Sequence, residues 1–323
     1  MENKLIQNLK FKIKNLKFLA ILLITNLGLI INSGDSFAQQ DGQFSQYMFN
    51  PFVINPAYAG SRDALSVLLV GREQWLSMPG APSTQTLSIN SKVKNRVGLG
   101  LQIFNDAIGP KNVTGYLGTY AYRFPLFKGK LAFGLRFGAF TYKYHWDKIE
   151  YKDPNDVYNT GNVTQTTVLN SDFGAFYNTK TYYFGLSYNH LGGNSRITST
   201  QIPGADAQLS SHIFITAGKT FEINDNLALQ PSILVRAVEG APINTDINFN
   251  MLLNKKIWFG VSYRTSKTIV LLSQFYATDK LRFGYSFDYG MNRIGKLGGG
   301  THELFIGYDF DVQKNKTISP RYF

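Results

Sequence analysis

From residue 64 to residue 310 the chain alternates apolar and polar side chains with a period of two, the mark of strands whose two faces meet different surroundings. In LRFGYSFDY the residues Leu281, Phe283, Tyr285, Phe287 and Tyr289 oppose Arg282, Gly284, Ser286 and Asp288. IWFGVSYR sets Ile257, Phe259, Val261 and Tyr263 against Trp258, Gly260, Ser262 and Arg264, and LAFGLRFGAF and ELFIGYDF divide in the same way. One face is oily and the other carries glycine and charge. A soluble sandwich would bury the oily face. Inward glycines and single arginines fit better if the oily face meets lipid and the other lines a lumen. The fold predicted is all-β: a transmembrane antiparallel up-and-down β-barrel of about 14 strands, or 12 or 16 if one hairpin is miscounted. The strands are expected to begin near Ala64, Thr84, Val97, Val113, Lys130, Asp172, Thr181, Ser211, Leu227, Thr245, Ile257, Thr268, Leu281 and Gly300.

The connections between these segments divide into two sets. Six are short and often basic, such as Lys94-Asn95-Arg96 and Asn254 to Lys256, whereas Asn105 to Lys111, Asp147 to Leu169, Gly192 to Ser210 and Tyr289 to Gly299 are longer. Short periplasmic turns and long outer loops would place both termini of the barrel in the periplasm. The connection Thr265 to Lys267 is short where a long one is expected. Trp75, Tyr142, Tyr144, Trp146, Trp258 and Tyr289, near strand ends, are candidates for an interfacial aromatic girdle.

Composition supports a strand-spanning membrane protein: mean hydropathy is −0.14 despite 25 Phe and 19 Tyr, so the aromatics are spread along the chain and not gathered in apolar runs. Residues 1–38 differ from the rest. Lys4, Lys10, Lys12, Lys14 and Lys17 precede the apolar stretch Phe18 to Ile31, and Ser36-Phe37-Ala38 offers small residues for a signal peptidase, which predicts a cleaved secretory signal. Cleavage would remove five lysines and two acids, reducing the formal charge from +12 to +9. The remaining basic residues are scattered singly, which speaks against nucleic acid and for outer-membrane lipid or acidic partners. No cysteine is present, so disulfides and thiolate metal sites are excluded.

Residues 39–63 form an N-terminal segment ahead of the barrel (64–310), and 311–323 form a C-terminal tail, both expected on the periplasmic side. Within the former, QYMFNPFVINPAYAG contains two Asn-Pro steps, no charge and seven apolar or aromatic side chains that need a surface to lie on. It is expected either across the barrel mouth or on another protein. In the lumen Arg136, Arg236, Arg264, Arg282 and Asp288, with Glu239, Glu303 and Asp309, are candidates for a selectivity ring, a grip on a threaded segment, or a self-satisfied ion network. The histidines His145, His190, His212 and His302 fall near strand ends without a metal or catalytic-triad spacing, so no catalytic residue, metal or cofactor is expected.

Four stretches together resemble the PorP/SprF family of outer-membrane proteins of the type IX secretion system of Bacteroidetes: QYMFNPFVINPAYAGSRD, GREQWLSMPGAPSTQT, VGLGLQIFNDAIGP and the terminal SPRYF. The resemblance implies a non-enzymatic accessory of the secretion and gliding machinery. Its implied partners are periplasmic ring and motor components and a secreted adhesin with a C-terminal sorting domain, which it helps export or hold at the surface. Gln46, Tyr47, Asn50, Pro51, Asn55, Pro56, Ala57, Tyr58 and Gly60 are the motif positions that would dock a partner, or else plug or brace the barrel. Arg72, Gln74, Trp75, Pro79, Gly80 and Pro82 would shape the outer mouth. The fold without the motifs would suit a passive porin or small-solute transporter.

Overall fold

The computed structural model describes residues 42–153, 161–191, 196–197, 207–238 and 241–311. The strands are β1 (Leu65–Glu73), β2 (Ser83–Lys94), β3 (Val97–Ile108), β4 (Lys111–Leu126), β5 (Gly129–His145), β6 (Val163–Asn178) and β7 (Tyr182–Asn189). There follow β8 (His212–Lys219, continued past Thr220 by Phe221–Asn224), β9 (Leu227–Val238), β10 (Asn244–Leu253), β11 (Ile257–Arg264), β12 (Thr268–Tyr276), β13 (Leu281–Gly290) and β14 (Thr301–Phe310). Each pairs antiparallel with its sequence neighbours. β14 pairs with β1 from Leu65↔Phe310 to Glu73↔His302, so the sheet closes on itself as a barrel of fourteen strands. The pair Arg196–Ile197 with Ala207–Gln208 is a separate two-stranded ribbon. The barrel belongs to one compact unit, Gln40–Glu239 with Asn244–Phe323; of the other, Met1–Gln39 with Gly240–Ile243, the structure describes only 241–243.

Thirteen of the strands start within two residues of the position expected from sequence; β6 does not. It starts at Val163, and residues 163–169 pair with β5 instead of lying in an outer loop. Likewise β3 runs to Ile108 and turns into β4 through Gly109 and Pro110 alone, so no long loop spans Asn105 to Lys111. Both departures have one cause. At this end of the wall the faces exchange polarity: Gln85, Asn105, Thr114, Thr141 and Thr167 stand outward in register, while Val113, Leu117, Phe140, Tyr142 and Val168 pack inward with Leu209. A strand recognised by its outward oily face is lost once that face turns polar.

Below this row the outward face is apolar, as alternation predicts: Phe137 is 60% exposed and Leu304 60%, with Leu135, Phe283 and Ile306 also exposed. Along β5 the apolar band from Leu131 to Ala139 rises about 20 Å, taking about 3.3 Å per residue and a strand tilt near 40°. That approaches the ~25 Å band of outer-membrane barrels. Two girdle candidates are misplaced. Trp258 and Tyr142 are buried inside the barrel, because Trp258 shares the inward parity of Ser262 and Arg264, and Tyr142 that of Arg136. Tyr289 is exposed, and Trp75, Tyr144 and Trp146 are partly so.

The end bearing the connections β2–β3, β4–β5, β6–β7, β8–β9, β10–β11 and β12–β13 is termed the turn end, and the opposite one the loop end. The loop end carries the long β5–β6 and β7–β8 connections and the five-residue helix α1 (Arg293–Leu297).

Candidate functional site

The interior of the barrel is occupied by the segment that precedes β1. Both Asn-Pro steps act locally as turn starters: proline fixes φ and lacks an N–H, which suits the first position of a helical turn. Pro51–Val53 and Pro56–Tyr58 each form one 3-10 turn, and the Asn55 side chain accepts the Ala57 N–H at 2.9 Å. Successive turns point side chains in all directions, which suits a surrounded segment and not one lying on a flat surface. Tyr47, Phe52, Ala57 and Tyr58 are each no more than 3% exposed. Gln46, Asn50, Asn55, Pro56 and Gly60 are buried with them, and Pro51 is half-buried. The expected position across the mouth is therefore corrected to one within the lumen. The apolar side chains find apolar partners there, as Phe49 lies 6.1 Å from Trp258 and 6.2 Å from Phe305, and Tyr58 meets Phe176 edge-on at 5.4 Å.

A chain crossing a lumen without sheet partners must satisfy its backbone through side chains. The wall supplies them. Arg136 donates to the carbonyls of Val53 (3.1 Å) and Phe52, and stacks 5.1 Å above the Phe52 ring. Arg123 donates to the Ala59 (3.2 Å) and Gly60 carbonyls, and Ser187 Oγ donates to the Ile54 carbonyl at 2.7 Å. At the other extremity both oxygens of Glu303 accept backbone N–H groups, from Ser45 at 2.8 Å and Gln46 at 2.9 Å. Asn55 Nδ2 donates to the Ala175 carbonyl at 3.0 Å, and Asn248 Nδ2 to the Tyr47 hydroxyl.

Wall glycines give the segment room. A Cβ on Gly98 would strike the Ala59 carbonyl, and one on Gly134 the backbone of Pro56 and Ala57. Gly98 of β3 and Gly134 of β5 are thus contact points for a second backbone. A cavity beside this segment, lined by Tyr47, Asn50, Val70 and Phe305 among others, holds only about 10 Å³.

The predicted lumen charges form a paired network. Arg72 bridges Asp288 (2.8 Å) and Glu303 (3.0 Å), Arg264 bridges Asp246 (3.1 Å) and Asp288 (3.7 Å), and Arg236 completes the set on Asp246. Three arginines therefore balance three carboxylates. Ser45 Oγ sits at their centre, donating to Asp288 at 2.6 Å and accepting from Arg72 at 3.0 Å and Arg264 at 3.4 Å. Near the turn end Asp309 pairs with Arg62 (2.8 Å) and Arg282 (3.8 Å), and Arg136 faces Asp172 at 3.6 Å. Glu239 lies outside the described residues.

Arg72 is thereby corrected from an outer-mouth residue to a lumen one, since it follows the inward parity of Leu68 and Val70. Gln74, Trp75, Pro79, Gly80 and Pro82 do form the β1–β2 loop, which is tied to the β13–β14 connection by Leu76 N–H to the Gly300 carbonyl (3.2 Å) and Ser77 N–H to that of Gly298 (3.1 Å). His190 and His212 are buried with ring centres 5.3 Å apart. Asp246 and Arg123 were missed by sequence reasoning; their inward parity with Asn248 and Thr119 is the signal that finds them.

Three of the four family-like stretches lie in the segment and barrel, the terminal SPRYF falling outside the described residues, and the model of the type IX secretion system membrane protein PorP/SprF matches residues 36–308. The chain belongs to the PorP/SprF family. The match runs from before the lumen segment into β14, so in this PorP/SprF protein segment and barrel are one family unit. No curated protein matches it. Solved structures similar to this PorP/SprF chain are outer-membrane barrels. The toluene transporter TbuX of Ralstonia pickettii is 10% identical over 86% of this chain and 95% of its own, with a TM-score of 0.47. The outer membrane protein Omp33 of Acinetobacter baumannii is 9% identical over 76% and 99%, at 0.45. A FadL homologue of Pseudomonas aeruginosa is 14% identical over 82% and 94%, at 0.42.

Proposed function

We propose that this protein is a non-enzymatic outer-membrane component of the type IX secretion and gliding machinery whose barrel is a closed scaffold rather than a passage for solutes. On this reading its turn end faces the periplasm and docks ring or motor components. Its loop end helps export a secreted adhesin with a C-terminal sorting domain, or anchors it at the surface. The observation that carries the reading is the occupied lumen: a family motif lies against the inner wall, and the arginines a porin would present to solute are spent on carbonyls and carboxylates. Of the two roles open to Gln46 to Gly60, this packing supports bracing. Partner docking then falls to the barrel rims, and to the motif only if it leaves its seat.

The test pairs conductance with copurification. In planar bilayers the intact protein is expected to give no steady solute current, and a variant lacking residues 43–60 to give one, provided its barrel still shifts on gels upon heating. Mild-detergent pull-down of the intact protein is expected to bring down secretion-system proteins. A conducting intact barrel that brings down none would return the assignment to a small-solute porin.

A further inference from the structure

The turn-end rim is not uniform. Lys94 and Arg96 at the β2–β3 turn, Lys128 and Lys130 at β4–β5 and Lys180 at β6–β7 are all exposed, and none is in an ion pair among the described residues. Residues 91–97, 123–131 and 177–183 contain no acid; elsewhere on the rim the exposed Lys255 and Lys256 of the β10–β11 turn stand between the β8–β9 and β12–β13 turns, which carry Asp225 and Asp279. Lys92, next to this sector, is already neutralised by Asp63. Neighbouring turns on one rim stand two strands apart, about 10 Å, so five cations share an arc of about 20 Å. Apolar side chains are interleaved with them. Phe127 is 94% exposed at the tip of the β4–β5 turn, and Val93 is 55% exposed beside Lys94. Phe127 has φ +49°, a left-handed conformation that glycine or asparagine adopts more readily, so an exposed phenylalanine is held there against local preference. Directly above, the outward face carries Tyr122, Phe133 and Phe173, the last two stacked at 6.1 Å, in the surface that meets acyl chains.

We infer that this sector of the turn end, from the β2–β3 to the β6–β7 turn, is a binding surface for anionic phospholipid. Cations at headgroup height, apolar tips between them and an aromatic wall above match a ligand with a phosphate at one end and an acyl chain at the other. A soluble acidic protein would satisfy the lysines, but Phe127 and Val93, exposed among them at the edge of the lipid-facing wall, favour a ligand that carries its own hydrocarbon. The inference rests on the barrel standing in a bilayer and not on its secretion partners, so either can fail alone.

The test uses the full-length mature protein in nanodiscs of phosphatidylethanolamine with a minority of phosphatidylglycerol, counting lipids retained after gentle extraction by native mass spectrometry. Phosphatidylglycerol is expected to be retained in excess of its share. That excess should fall about tenfold when Lys94, Arg96, Lys128, Lys130 and Lys180 are all changed to Gln, and not when Lys143 and Lys148 at the loop end are. Heat-modifiable migration establishes that each variant is folded; should the fivefold variant not fold, loss of the wild-type excess between low and high salt decides instead. Equal retention of the two lipids, or an excess that survives the substitutions or high salt, overturns the proposal. So does displacement by inorganic phosphate beyond that by chloride at equal ionic strength, which would mark a phosphate site and not a lipid one.

Discussion

Glu303 shows what a single buried charge does here. It is 1% exposed, accepts two backbone N–H groups of the lumen segment and pairs with Arg72, so three donors depend on one carboxylate. Removing one partner from a buried ionic network leaves the others desolvated and unpaired, a cost of about 3–5 kcal/mol. Glu303→Ala is therefore expected to lower the midpoint at which the heat-modifiable band is lost. Lys280→Ala, at a solvent-exposed pair with Asp311 2.7 Å away, is expected to leave that midpoint unchanged. A Glu303→Ala variant as stable as wild type would mean that the network contributes nothing to holding the segment.

Among the elements, the segment and the β3–β5 wall are made for each other, and Gly134 tests the fit. The chain has no cysteine, so Ala57→Cys places a single thiol in the buried turn opposite that glycine. In the otherwise wild-type barrel this thiol is expected to resist maleimide in folded protein. With Gly134→Val added, the new side chain meets the backbone of Pro56 and Ala57, and the thiol should label while the barrel stays folded. Equal protection in both would show that the segment is seated without the glycine. This relation also marks the limit of what could be read from residues alone. The parity of Arg136, Arg236, Arg264, Arg282 and Asp288 was legible because a strand allows two facings only. The turns at Asn50 and Asn55 were legible because proline dictates them. The place of those turns was not, since an apolar segment with no period fits a lumen, a mouth or a partner equally. The extension of β6 to Val163 was hidden for a different reason: outward Val163, Gln165, Thr167 and Leu169 and inward Thr164, Thr166 and Val168 mix polar and apolar side chains on both faces, so no oily face marks the strand.

At the scale of the molecule, the outward polar row from Gln85 to Thr167 locates the edge of the bilayer. Leu135 lies within the outward apolar band, and Thr141, on the same strand and face, lies in the polar row that ends it. An arginine in the middle of a barrel's lipid face costs about 2–4 kcal/mol, falling to ~0–1 near the interface. Leu135→Arg is thus expected to lower the unfolding free energy in lipid by the larger amount and Thr141→Arg by little, as measured by urea titration in liposomes. Equal costs would mean that the upper edge of the membrane is drawn in the wrong place.

The seam between β1 and β14 limits the routes by which the lumen can be filled. The segment from Gln43 to Gly60 is continuous with β1 through residues 61–64 and lies inside the ring that the nine pairs from Leu65↔Phe310 to Glu73↔His302 complete. Once those rungs are zipped, the wall has no gap through which a folded pair of turns could enter sideways. The segment must therefore either be nested in the curling sheet before the last strand arrives or be threaded lengthwise through an open mouth afterwards.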